Sequence, residues 1–181
     1  MPEISIKKAT EKDFKAIVEI GRVSVDESHR DSCAAADMAA YIDSHYNDAA
    51  IREELKDLKN IYHIIFVDEQ PVGFSKLVLN AEYATIPRKN IAKLDRIYLL
   101  KDFQRLKLGF ELLQFNISLA KNNNQSGIWL VTWEGNKTAV DFYLKTGFTI
   151  YGSENFNVSE THSNLCHLML LDFIHWPVTV L

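Results

Sequence analysis

Apolar residues recur with two different periods along this chain, and the switches between them mark out its elements. Glu3 to Lys8 alternates, with Ile4 and Ile6 apolar between polar neighbours, which predicts a first strand. Thr10 then offers a helix cap, and Phe14, Ile17, Val18 and Val25 repeat at helical spacing behind it. His29 to Ala35 shows no period. From Ala36 the helical pattern returns through Met38, Tyr41 and Ile42, and after a cap at Asn47 or Asp48 a further helix carries Ile51, Leu55 and Leu58 on one stripe. Two β-rich runs follow, Ile61 to Val67 and Val72 to Leu79. The segment Asp68-Glu69-Gln70-Pro71 between them reads as a hairpin turn, because Pro71 has no N–H to give to a ladder.

Asn80 to Ala92 lacks periodicity and reads as a loop leading into a strand from Lys93 to Leu100. In the next helix Leu106, Phe110, Leu113, Ile117 and Ala120 recur at alternating spacings of four and three, predicting a buried stripe that the polar run Asn122 to Gly127 ends. Ile128 to Thr132 predicts a buried strand. Asn136 stands where a helix cap belongs, Ala139, Val140, Phe142 and Tyr143 supply apolar faces, and Gly147 is placed to stop that helix in a left-handed conformation. Phe148 to Glu154 and Leu165 to Leu171 complete the pattern as a hairpin, followed by a tail with Trp176 and Pro177.

Composition narrows the classes. At 181 residues and 47% hydrophobic, the chain, residues 1–181, is expected to form one domain, since domains seldom exceed about 250 residues. Its net charge of −4, with 20 Lys and Arg scattered along it, argues against a nucleic-acid partner. Cys33 and Cys166 fit no metal spacing and read as free thiols of a reducing compartment. The N-terminus lacks a secretory pattern, and no apolar run nears the roughly 18 residues that span a bilayer, so the expectation is cytoplasmic with no membrane partner. The sequons at Asn116, Asn136 and Asn157 then read as accidental. The six histidines show no metal spacing, so no metal is expected; His29 alone is singled out as a substrate contact.

Candidate chemistry lies in two clusters. Gln104-Arg105-Leu106-Lys107-Leu108-Gly109 falls between a strand and a helix, where unpaired N–H groups and the helix dipole converge on an anion such as a pyrophosphate. Arg105 and Lys107 add charge, and Gly109 permits close approach. The second cluster is Trp133-Glu134-Gly135-Asn136-Lys137-Thr138-Ala139-Val140-Asp141-Phe142-Tyr143, ending at Gly147-Phe148.

Together the two clusters resemble the GNAT superfamily of acetyl-CoA-dependent N-acetyltransferases. The first matches that family's pyrophosphate loop, and the second its Asn-x-x-Ala-x-x-Phe-Tyr helix. Lys107 departs from the loop, standing where the family usually has its first Gly; it fits if its backbone is helical, and Phe110 is expected to point into the core. Within the superfamily, Met38 to Leu55, Leu94 to Gly109 and Ile128 to Phe148 look most like the bacterial spermidine and spermine N-acetyltransferases.

The resemblance implies a mixed α/β fold, a mostly antiparallel twisted sheet of about six to seven strands flanked by about four to five helices. It implies acetyl-CoA as co-substrate, held by backbone groups of Ile97, Tyr98 and Leu99, by the loop Gln104 to Gly109 and by Asn136. Tyr143 is then the proton donor to the leaving thiolate. The expected activity is acetyl transfer to a primary amine, a polyamine being the family-level expectation, in a small-molecule enzyme that forms a homodimer. Glu82, Tyr83, Asp95 and Glu134 are candidates for the substrate side or the base, with Asp26, Asp37 and Asp43 as further cation partners. Two alternatives remain open: a coenzyme-binding regulator without turnover, and acetylation of a protein or peptide amine.

Overall fold

Local hydrogen bonding explains where the helices begin. In the computed structural model, which describes residues 2–173, the Thr10 hydroxyl accepts from Lys12 N–H, and Asp13 Oδ2 accepts the Thr10 N–H at 2.7 Å. The expected tail at Trp176 and Pro177 lies outside the described residues, as does the side chain of Arg105. Asn47 Oδ1 accepts from Ala50 N–H at 2.9 Å and Asn136 Oδ1 from Ala139 N–H at 3.1 Å, each satisfying an N–H that no helical carbonyl reaches.

The elements in chain order are β1 (Ile4–Lys8), a 3-10 turn (Glu11–Asp13), α1 (Phe14–His29), α2 (Ala35–His45), α3 (Asp48–Lys56), β2 (Asn60–Val67) and β3 (Gln70–Val78). Then follow β4 (Ala92–Leu99), a second 3-10 turn (Lys101–Leu106), α4 (Leu108–Asn122), β5 (Gly127–Trp133), α5 (Lys137–Lys145), β6 (Thr149–Asn157) and β7 (Ser163–Asp172). Gly147, at φ 94°, ends α5 in the left-handed region expected for it. The seven strands form one sheet in the order β1-β2-β3-β4-β5-β7-β6. All neighbours are antiparallel except β4 and β5. The fold is the mixed α/β class expected.

The parallel pair creates the working feature of the fold. β4 and β5 pair only at Ala92 with Ile128 and Lys93 with Trp129. Beyond that, among the described residues, the edge of β4 from Leu94 to Leu99 has no strand beside it toward β5. A β-bulge accounts for the divergence: Lys76 pairs with Arg96 and Leu77 with Leu94, leaving Asp95 as the extra residue on β4. Such a bulge bends and twists its strand.

The α1–α3 helices cover one face of β2, β3 and β4, burying Phe14, Ile17, Tyr46, Ile51, Tyr62 and Phe74. The α4 and α5 helices cover the opposite face, over Leu77, Leu94, Leu113, Ile117, Ile128, Tyr143 and Phe148. Three expectations need correction. Leu58 lies beyond α3 and is 91% exposed, and Leu106 and Phe110 are 46% and 47% exposed. The buried stripe of α4 is instead Leu108, Leu112, Leu113, Asn116, Ile117 and Ala120, because Leu108 and Leu112 seat against Ile65, Val67 and Val72 and so set the helix's rotation. Asn116 is fully buried and donates through Nδ2 to Ser75 Oγ at 2.9 Å, which keeps its sequon away from any glycan.

Candidate active site

The bared β4 edge runs directly into the turn that opens α4, so one continuous stretch of backbone faces the splay. Ile97, Tyr98 and Leu99 lie on that edge, and Gln104 folds back to donate through Nε2 to the Leu99 carbonyl at 3.3 Å. Lys107 sits at φ 59°, ψ 11°, in the left-handed region, and not in the helical conformation expected of it. Preceded by a 3-10 turn, this reversal lines up successive N–H groups into a concavity for an anion. The Lys107 carbonyl takes the N–H groups of Phe110 and Glu111, and the N–H groups of Leu108 and Gly109 begin α4, where no helical carbonyl precedes them. A methyl group on Gly109 would come within 3.3 Å of Leu99, so the glycine keeps α4 close to the strand end. These features fit a pyrophosphate-bearing coenzyme whose arm pairs with β4 as an extra strand would.

Left-handed backbone costs a non-glycine residue on the order of 1–3 kcal/mol. Lys107→Gly is therefore expected to raise the unfolding midpoint by about 2–4 °C, the added chain entropy of glycine offsetting the rest of the gain. Lys107→Ala, which keeps the strain, should show no such rise. A thermal melt of the two variants checks this.

Asn136 and Tyr143 lie on α5, at the other wall. Tyr143 is buried, packed edge-on against Phe142 and Phe148 at 5.3 and 5.4 Å. Burial pushes its phenol well up, with Tyr98 adding to the effect. The phenol thus stays protonated throughout the physiological range.

On the opposite face, β4 presents Lys93, Asp95, Arg96 and Tyr98, since the bulge puts Asp95 and Arg96 on one side. Asp95 is bonded to Lys93 at 2.6 Å and Lys76 at 3.0 Å. Burial would raise its carboxyl, yet the two ammonium groups hold it down at about 2. Glu54 of α3 accepts from Lys76 at 2.6 Å, Arg96 at 2.9 Å and the Tyr62 hydroxyl at 2.7 Å. Sequence reasoning passed over Glu54, Lys76 and Arg96. Their signal was three charged residues, Lys93, Asp95 and Arg96, in a strand with buried neighbours.

The remaining nominated residues disperse. Glu82 is exposed in the loop before β4 and pairs with Lys89 at 3.0 Å. Tyr83 packs tilted against Trp129, ring centroids 4.7 Å apart, and donates to Glu154, a bond that raises its phenol. Glu134 pairs with His167 at 3.2 Å. Asp26 pairs with Arg30 at 2.5 Å and Asp43 with Arg22 at 2.7 Å, both on the outer surface of α1 and α2. Two aromatic contacts join the helices to the far strands instead: His29 of α1 lies 6.2 Å from Trp133 of β5, and Tyr41 of α2 lies 6.0 Å from Phe156 of β6. The α1–α2 connection is tied to the β6–β7 loop where His162 Nε2 meets the Ser32 carbonyl at 2.8 Å. Among the described residues no cluster of His, Cys, Asp and Glu is arranged to hold a metal, and no helix is long and apolar enough to cross a membrane.

The architecture recurs in proteins of known kind. The PaiA N-acetyltransferase of Thermoplasma acidophilum, solved in complex with coenzyme A, superposes with a TM-score of 0.76 at 21% identity, covering 94% of this chain and 99% of that one. An uncharacterized N-acetyltransferase of Lactobacillus delbrueckii subsp. lactis, from the pepI 3′ region, is 26% identical over 156 residues, 86% of this chain and 90% of that protein. An uncharacterized N-acetyltransferase of Mycobacterium tuberculosis is 24% identical over 127 residues, 70% of this chain and 77% of its own length. The pattern of the acetyltransferase (GNAT) family matches residues 32–148, a span that takes in the splayed strands, the left-handed turn and the Asn136 to Tyr143 helix together. The chain therefore belongs to that family and is an acetyl-CoA-dependent N-acetyltransferase.

Proposed function

We propose that the whole chain works as one domain that passes acetyl directly from acetyl-CoA to a primary amine, with Tyr143 donating a proton to the leaving sulfur. The observation carrying this reading is the bared edge of β4, Leu94 to Leu99, leading without interruption into the left-handed turn at Lys107. Backbone groups of Ile97, Tyr98 and Leu99 hold the coenzyme arm, one N–H polarising the thioester carbonyl. The turn residues Gln104, Arg105, Leu106, Lys107, Leu108 and Gly109 hold the phosphates, and Asn136 contacts the arm while capping α5. Bound there, acetyl-CoA supplies the activated acyl group. Direct transfer is favoured over a thioester on the protein because burial pushes the Cys166 thiol up to about 11, leaving it protonated and a poor nucleophile.

A polyamine is the finer reading. Glu54, Glu82 and Asp95 pair with the protein's own cations and Glu134 with His167, so the ammonium groups of the acceptor are met elsewhere. What supports an alkylammonium is Trp133, on the parted end of β5, through cation–π contact. The test is thiol release across spermidine, spermine, diamines, amino acids and peptides at several pH values. Release with the polyamines above the rest is expected. Turnover confined to peptides would overturn the polyamine reading, and no release with any amine would overturn amine acetylation.

A further inference from the structure

An acceptor amine arrives as an ammonium and must lose a proton before it attacks, and the carboxylates near the splay are poorly suited to take it. Asp95 is held as a carboxylate by two lysines, Glu54 is shared among Arg96, Lys76 and Tyr62, and Glu134 is joined to His167. One neutral nitrogen is differently placed. α1 packs on β3 and β4, and its last residue, His29, lies against Trp133 of β5. Trp133 stands in the part of β5 that no longer pairs with β4, so the imidazole lies on the β5 side of the opening. The Ser32 to His162 link ties the connection that follows His29 to the β6–β7 loop.

The hydrogen-bond network assigns its tautomer. Ser28 has one hydroxyl proton, and Ser28 Oγ lies 2.6 Å from the Ser24 carbonyl, which accepts it. His29 Nδ1, at 2.7 Å from the same Oγ, must then carry the proton in that contact. A neutral imidazole protonated at Nδ1 has its lone pair on Nε2. We propose that His29 is the base that takes the ammonium proton of the acceptor, through Nε2, directly or across one water. This assignment rests on the acetyl-transfer reading above.

The protons balance. Nε2 accepts one from the ammonium and returns it to solvent. The amine nitrogen loses a second as its bond to the acetyl carbon forms and the carbon–sulfur bond breaks, matching the proton that Tyr143 gives to sulfur and regains. The ionisable groups on the surrounding elements include Asp26 and Glu27 on α1, Arg30 and Asp31 just after it, Asp37, Tyr41 and Asp43 on α2, Tyr98 on β4, Glu134 with His167, Glu154 on β6, Cys166 on β7 and His162 in the β6–β7 loop. Burial lowers the imidazole below its usual value, with the Val25 bond opposing in part, so Nε2 is free to accept at neutral pH.

The test compares wild type with His29→Gln, both confirmed folded by thermal melting, from pH 5.5 to 10.5 with an alkylamine acceptor. Wild-type kcat/KM should already be on its plateau at pH 7, its ascending limb lying below 6.5. At pH 7 His29→Gln should be lower by about 10²–10³-fold, and its ascending limb should move up toward the amine's own value near 10.4, so that the gap closes at high pH. A variant with the wild-type profile, or one lowered equally at every pH, overturns the role of His29 alone. A wild type that binds acetyl-CoA but releases no thiol overturns acetyl transfer and this assignment with it. Nitrogen-15 spectra of the wild-type imidazole give a check without substitution: the Nδ1–H tautomer at pH 7 supports the assignment, and the Nε2–H tautomer overturns it.

Discussion

Tyr143→Phe is expected to lower kcat by about 10²–10⁴-fold while changing the affinity for acetyl-CoA by less than about threefold. The asymmetry follows from where the phenol sits. Its ring packs between Phe142 and Phe148 on the inner face of α5, and phenylalanine fills the same space, so the helix and its Asn136 cap stay in place. Only the hydroxyl is lost. In the proposed role that hydroxyl has little to do in the ground state, because a thioester sulfur is a weak acceptor; its bond would strengthen as negative charge builds on sulfur and the carbon–sulfur bond breaks. Burial keeps the phenol protonated, so the donor is present at every pH from 6 to 10 and no limb of the rate profile in that range belongs to it. Rate and coenzyme affinity, measured by stopped thiol release and by titration of acetyl-CoA, separate the two effects. Unchanged turnover in the variant would remove Tyr143 from the chemistry and return it to the core.

The parts of this site that could be read from sequence are those governed by local physics. Thr10, Asn47 and Asn136 cap their helices, and Gly147 stops one, because each choice is settled by hydrogen bonds or backbone sterics within four residues. Alternation located β1, and β-rich apolar runs located β2, β3 and β5, for the same reason. What escaped depended on neighbours distant in sequence. The four-and-three spacing from Leu106 fits two adjacent stripes of α4 equally well, and only the packing of Leu108 and Leu112 against β2 and β3 selects between them. The left-handed turn at Lys107 lacks the glycine that signals such a turn. The bulge at Asp95 leaves no local mark, because the strand reads as regular until β3 is laid beside it. Yet that bulge turns Asp95 and Arg96 to one side, where Lys76, Lys93 and Glu54 hold them.

Glu54→Ala is expected to destabilise the protein by about 3–5 kcal/mol, a fall of roughly 10 °C in the unfolding midpoint. Glu54 is the anion at the centre of a network that joins α3 to β2, β3 and β4 on the face where the bulge lies. The side chains of Arg96 and Lys76 are each only 11% exposed, so water cannot replace the carboxylate they lose. Lys76 keeps Asp95, but Arg96 would retain only the Tyr62 hydroxyl at 2.7 Å and the face of Tyr46 at 5.0 Å. A guanidinium left so poorly compensated costs more than the pair contributed when intact, because its desolvation is no longer offset. The double variant Glu54→Leu with Arg96→Met should therefore lose less than the sum of its parts, by about 1–3 kcal/mol, since removing both charges removes the penalty. Denaturant unfolding of the two single variants and the double one completes the cycle. Additive losses would mean that Glu54 and Arg96 act independently, and a Glu54→Ala midpoint near wild type would mean that the strand holding the coenzyme edge is kept in place by apolar packing alone.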